Sequence, residues 1–154
     1  MPRNPLPASV TESFQSKVPS STFSSSPCRI KFYTQELVIH REDVCARLRR
    51  HSRKPNSDFG HTSLFSHAVQ TVIRQGHLCP LPLHACPIKW GFDHSLRLYP
   101  LPTVLFLGDR TEHEHLECGG VKVVNPGSFA SDWTFYSYDP VGGEVVPCKC
   151  EIES

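Results

Sequence analysis

The side chains of this 154-residue chain with which chemistry could be done are its histidines, carboxylates and thiols, and their spacing sorts them. His113-Glu114-His115 sets two imidazoles at i and i+2, on one face if the backbone is extended. With Asp109, Glu112 and Glu117 nearby, the pair has the donor types to hold a divalent ion. The other reading is a polar surface loop. No second, distant cluster of Asp, His and Asn accompanies it to complete a two-metal hydrolytic centre. His77, directly after Gly76, reads as a loop histidine satisfied by backbone contacts. The seven cysteines include one close pair, Cys148-x-Cys150, and no C-x-x-C, so a structural zinc site is not expected. On an edge strand those two thiols would point the same way and offer half a metal site. The chain has no G-x-S-x-G, no phosphate-binding loop and no dinucleotide-binding glycine pattern, so spacing assembles no nucleophile and base.

Cationic chemistry is concentrated in Arg47, Arg49, Arg50, Arg53 and Lys54, the densest positive cluster in the chain. Such a cluster can contact nucleic-acid phosphates. The alternative is a solvated helix end, and the cluster lacks interleaved aromatics on which bases would stack.

The elements that must position these residues centre on Leu101 to Phe135. Val104-Leu105-Phe106-Leu107 is an apolar run stopped by Gly108-Asp109-Arg110-Thr111, and Val121-Lys122-Val123-Val124 is a second, closed by Asn125-Pro126-Gly127-Ser128. Pro126 pre-sets φ for the second position of a tight turn and Gly127 accepts the positive φ needed next. Two short apolar runs, each ended by a sharp turn, predict two buried strands of one sheet.

Upstream, residues 1–27 are rich in Pro and Ser and predict an extended or weakly ordered lead-in, with a short helical turn at most over residues 11–14. The alternation of residues 29–33 predicts a half-buried strand, and residues 37–39 a second after a turn near 34–35. Residues 42–50 read as a short helix with its acids at the N-terminal end and its arginines at the C-terminal end. Leu64, Phe65, Ala68, Val69, Val72 and Ile73 share one helical face, with Thr62 or Ser63 to cap it and Gly76 to end it. The proline-rich stretch 75–90 excludes helix but is apolar, so it is expected as an ordered loop over a core. A short helical turn is expected within residues 92–102. Two further strands are expected over residues 133–138 and 144–153, the last at a sheet edge because of Pro147.

Composition bounds the rest. The length suits one domain, and 14 prolines with 9 glycines imply many turns. The formal net charge is +1, yet residues 1–77 hold 11 Lys/Arg against 5 Asp/Glu while residues 78–154 hold 5 against 10. No secretory signal pattern opens the chain and no apolar run approaches the ~20 residues of a bilayer span. Reduced thiols in a cytosolic or nuclear setting are the expectation.

Residues 104–128 resemble the last segment of the calcineurin-like metallophosphoesterase fold, in which a buried strand ends in a G-H-x-H metal turn and another ends in N-P-G-S. Gly108 matches the first glycine, but Asp109 and Thr111 stand where active members place histidines; Asn125-Pro126-Gly127-Ser128 is intact. Within that fold the chain resembles the B-subunit family of the replicative DNA polymerases alpha, delta and epsilon, and in particular its epsilon branch. The resemblance is carried in order by Pro27-Cys28-Arg29-Ile30, Thr34-Gln35-Glu36, Arg41-Glu42-Asp43, Gln75-Gly76-His77-Leu78, Pro80-Leu81-Pro82-Leu83 and Val123 to Phe129. It implies an α/β fold: the C-terminal part of a two-layer calcineurin-like phosphoesterase β-sandwich flanked by helices, incomplete as a domain. Residues 1–27 would be the lead-in and residues 28–154 that C-terminal part. It further implies a nuclear, non-catalytic accessory protein without cofactor, a scaffold for the cysteine-rich C-terminal domain of the polymerase epsilon catalytic subunit. DNA would be met directly or through the complex, and other replisome proteins are further partners. The competing expectation is a metal-dependent phosphoesterase with a rearranged ligand set that uses His113 and His115. A partial sheet would expose edge strands and apolar surface, so the chain alone is expected not to fold cooperatively.

Overall fold

The computed structural model describes residues 1–51 and 63–150. Its centre is a five-stranded mixed sheet in the order β1-β2-β3-β5-β4. The strands are β1 (Cys28–Phe32), β2 (Gln35–His40), β3 (Val104–Leu107), β4 (Glu114–Cys118) and β5 (Val121–Asn125). β2, β3 and β5 run parallel, while β1 and β4 are antiparallel edges. The two apolar runs are therefore adjacent central strands, with Leu105 opposite Val123, and both residues are wholly buried.

Alternation assigns the faces. Val38, Leu105, Leu107, Val121 and Val123 face two helices, α2 (Val44–His51) and α3 (Leu64–Gln75), and form the core with Phe65, Ala68, Val69, Val72 and Ile73. α3 begins where Ser63 accepts a hydrogen bond from the Ser66 amide and ends at left-handed Gly76. Leu78, Cys79, Cys86, Leu96 and Leu98 close this core from the side, so the proline-rich loop does lie over it. A 3-10 helix, Trp90–Leu96, supplies the expected helical turn. On the other face lies a separate hairpin of β6 (Thr134–Asp139) and β7 (Glu144–Lys149), reached through the one-turn helix α4 (Phe129–Asp132). Its Tyr138 ring meets Phe106 at 6.3 Å, and its hydroxyl donates to Gln35 at 3.3 Å.

Three local expectations are corrected. Residues 8–15 form a full two-turn helix, α1 (Ala8–Gln15), because the prolines bracket the segment: Pro7 occupies the N-cap with φ −66° and the helix interior holds none. β1 is exposed along most of its length, since it is an edge strand with neither face well covered. The acids Glu42 and Asp43 precede α2 and so lie outside its first turn. Among the described residues no helix is long and apolar enough to cross a membrane.

Candidate functional site

The three parallel strands end side by side, and the carboxyl ends of parallel strands are where α/β proteins place ligand sites. Here that edge collects His40-Arg41 at the end of β2, Gly108-Asp109 just after β3 and Asn125-Pro126 at the end of β5. The Asn125 side chain is wholly buried and works at both ends. Its Oδ1 accepts from the Asp109 amide at 3.2 Å and from the Gly127 amide at 3.1 Å. Its Nδ2 donates to Thr111 Oγ1 at 2.9 Å, to the Thr111 carbonyl at 3.2 Å and to the Glu112 carbonyl at 3.0 Å. An amide with one acceptor oxygen and two N–H donors is thereby saturated.

Asp109, 3% exposed, accepts at both oxygens. Its Oδ1 accepts from the Thr111 amide at 3.1 Å, and its Oδ2 accepts from the Cys45 amide at 2.8 Å. Cys45 is the second residue of α2, so the carboxylate caps that helix at its positive end. Burial and then the Asp109 charge push the Cys45 thiol up to about 12, which makes it inert. Gly108 closes the cluster: its amide donates to the His40 carbonyl at 2.8 Å, and its carbonyl accepts from Arg41 at 2.7 Å. Arg41 in turn pairs with Asp43 at 3.1 Å.

The two turns singled out in the sequence, Gly108–Thr111 and Asn125–Ser128, thus meet in one network of protein hydrogen bonds. The other candidates lie apart from it. Alternation sends His115 to the face opposite Asn125, where His113 and His115 both approach the Tyr136 ring, at 6.4 and 5.7 Å. Between them Glu114 points to the helix side and accepts from the Ser63 hydroxyl at 2.6 Å. Among the described residues no group of three or more His, Cys, Asp or Glu side chains is placed to hold a metal ion. His77 does more than meet backbone: its Nδ1 accepts from the Cys79 amide at 3.0 Å while Nε2 faces Asp93 at 3.2 Å. Hydrogen bonding from Arg97 is the main reason the Asp93 carboxyl sits below its ordinary range.

The basic cluster divides. Arg47 is half-buried, bound to Glu42 at 2.6 Å and to the Cys86 sulfur at 3.2 Å. Arg49 and Arg50 are exposed in the last turn of α2. Arg53 and Lys54 lie outside the described residues. Sequence reasoning missed Glu42, which is 4% exposed and bridges Arg3 at 2.8 Å as well as Arg47. It also missed His40, buried beside this cluster with no hydrogen-bond partner on either ring nitrogen. Neither sits in a recognisable spacing, although Glu42 falls inside the Arg41-Glu42-Asp43 string.

Comparison with known proteins gives the cluster its context. The family model for the B subunit of DNA polymerase alpha/epsilon matches residues 1–116. The B subunit of DNA polymerase epsilon from Arabidopsis thaliana is 46% identical over 145 residues, covering 94% of this chain and 28% of that protein. DNA polymerase epsilon subunit 2 of Homo sapiens is 38% identical over 156 residues, 98% of this chain and 28% of that protein. The B subunit of DNA polymerase epsilon from Schizosaccharomyces pombe is 32% identical over 166 residues, covering 99% and 27%. The chain therefore spans a little over a quarter of the length of the curated relatives it matches. With a family match across three quarters of its residues, the chain belongs to the B-subunit family of DNA polymerases alpha and epsilon.

Proposed function

We propose that this chain serves as part of a non-catalytic accessory subunit of DNA polymerase epsilon, a nuclear scaffold that binds the cysteine-rich C-terminal domain of the catalytic subunit. In this reading residues 28–154 are the C-terminal part of a calcineurin-like phosphoesterase fold whose metal turn has become structural, and residues 1–27 lead into it. The observation that carries it is the buried junction of Asp109, Thr111 and Asn125. Both Asp109 oxygens are engaged by backbone amides, one of them at the start of α2. A carboxylate so committed positions strands and a helix, and among the described residues no group of three or more His, Cys, Asp or Glu side chains gathers around it to hold a metal ion. The phosphoesterase alternative gains nothing from His113 and His115, which flank a tyrosine and, among the described residues, lack a third ligand.

Co-expression with the catalytic subunit's C-terminal domain is the direct test. A stable complex in which purified protein carries no stoichiometric manganese, zinc or iron attributable to this chain supports the reading. Failure to capture that domain at all sinks it. Metal that disappears on mutating His113 and His115 would promote the phosphoesterase instead.

A further inference from the structure

Outside the buried junction, the same edge of the sheet carries a layer of arginines that the junction does not explain. Glu42 and Asp43 follow β2, and each is held by two arginines from different parts of the chain. Glu42 accepts from Arg3 of the lead-in at 2.8 Å and from Arg47 of α2 at 2.6 Å. Asp43 accepts from Arg41 at 3.1 Å and faces Arg110, in the turn after β3, at 3.4 Å. Arg50 stands three positions beyond Arg47 on α2, hence on the same side of the helix, and is exposed. Five arginines thus meet two carboxylates, a surplus of three positive charges.

The surplus faces outward. The four paired arginine side chains remain accessible, from 34% exposed at Arg47 to 78% at Arg110, whereas Glu42 is 4% and Asp43 29% exposed. Stability does not account for a second arginine on each carboxylate, because accessible ion pairs contribute little. A guanidinium has five N–H donors, and each of these four makes only one or two bonds. The donors left over belong to planar forks that match a carboxylate. Nucleic acid fits less well. A duplex contact that neutralises about six to ten phosphates needs at least twice this surplus, and none of the five residues is an aromatic on which single-stranded bases would stack.

We propose that the face made by Arg3, Arg41, Arg47, Arg50 and Arg110 docks an acidic segment of a protein partner, whose carboxylates take the guanidinium donors that Glu42 and Asp43 leave open. The recognition needs only these side chains and is independent of whether the chain binds the catalytic subunit. Glu42 and Asp43 act in it as internal competitors: they hold the arginines in place and set how much positive charge is left for the partner.

The test follows the fluorescence anisotropy of a labelled, amidated octapeptide of alternating Glu and Ser titrated with the full chain. The same peptide with Gln for Glu and a labelled DNA duplex serve as comparisons, and circular dichroism establishes that each variant is folded. Saturable binding of the Glu peptide that weakens as salt is raised, with none of the Gln peptide, is the expected result. Arg50→Glu combined with Arg110→Glu should weaken it at least roughly tenfold, while Arg74→Glu, in the last turn of α3, leaves it unchanged. Asp43→Asn keeps the side chain's shape but frees Arg41 and Arg110, so it should tighten binding severalfold. If the double variant loses its folded signal, the Asp43→Asn comparison decides alone. No binding of the Glu peptide at low salt overturns the proposal, as does an equal loss in Arg74→Glu or unchanged or weaker binding in Asp43→Asn. A duplex bound more tightly than the peptide, and released by the double variant, would make this face a nucleic-acid surface instead.

Discussion

At the scale of single residues, Asn125 and Asp109 define what this site is for. Replacing Asn125 by Ala strands the Gly127 amide, leaves the Asp109 amide only the Leu107 carbonyl, and takes the donor from the Thr111 and Glu112 carbonyls, in a buried to half-buried place. The expected loss is about 3 kcal/mol of stability, read from denaturant unfolding, because orphaned buried groups cost more than a bond contributes. His40 makes the second residue-scale prediction. Desolvation, with a smaller contribution from the Arg3 charge, lowers its pKa from 6.5 to about 4. The folded state therefore holds neutral imidazole while the unfolded chain binds a proton below pH 6.5. Stability from this group is complete above that value and is lost as pH falls toward 4, by roughly 2 kcal/mol at pH 5. His40→Leu should flatten the unfolding profile between pH 6.5 and 4. An unchanged slope would mean that other groups set the acid sensitivity.

At the scale of elements, the glycines of the turns differ in what they protect. Gly127 has φ +71°, and a Cβ there would lie 3.2 Å from the His113 amide nitrogen, which is backbone and cannot swing away. A Cβ at Gly108 would meet Arg41 Cδ at 2.9 Å, part of a side chain that can rotate once its bond to the Gly108 carbonyl is given up. Gly127→Ala should therefore cost about 2 kcal/mol and Gly108→Ala about 1 kcal/mol or less, compared by thermal unfolding. The reverse order would mean that Arg41 is the more rigid neighbour. The same elements explain how much of the fold is legible in the sequence. β3, β5, α3 and the N-P-G-S turn are legible because apolar period, cap and glycine agree locally. The meeting of Asp109 with the first turn of α2 is not, because 64 residues separate it from Cys45 and no spacing encodes that approach. α1 is hidden by its composition, since a high proline count argues against helix unless the prolines bracket the segment, as they do here. The separation of His113 and His115 from Asp109 depends on the strand register, which decides the face each side chain takes.

At the scale of the whole molecule, the two faces of the sheet are unequally covered. The helix side is closed by α2, α3 and the proline-rich loop, and its residues are almost wholly buried. On the opposite side the β6–β7 hairpin reaches Phe106, His115 and Gln35, but the β1–β2 end carries Ile30, Phe32 and Ile39 at 44, 47 and 41% exposure. In register, Ile30 faces Leu37 and Phe32 faces Gln35, so these side chains form one stripe along the open edge strand. A contiguous apolar stripe beside an unpaired edge favours self-association and dye binding. The isolated chain should therefore bind a hydrophobic fluorescent dye at a temperature where the sheet is still formed by circular dichroism. Ile30→Lys combined with Ile39→Lys should lower that signal severalfold while leaving the helix-side core intact, since neither residue contributes to it. Dye binding that does not change in the double variant would place the exposed surface elsewhere, on Leu6 and the exposed Val10 and Phe14 of α1 or on the Phe129–Trp133 pair.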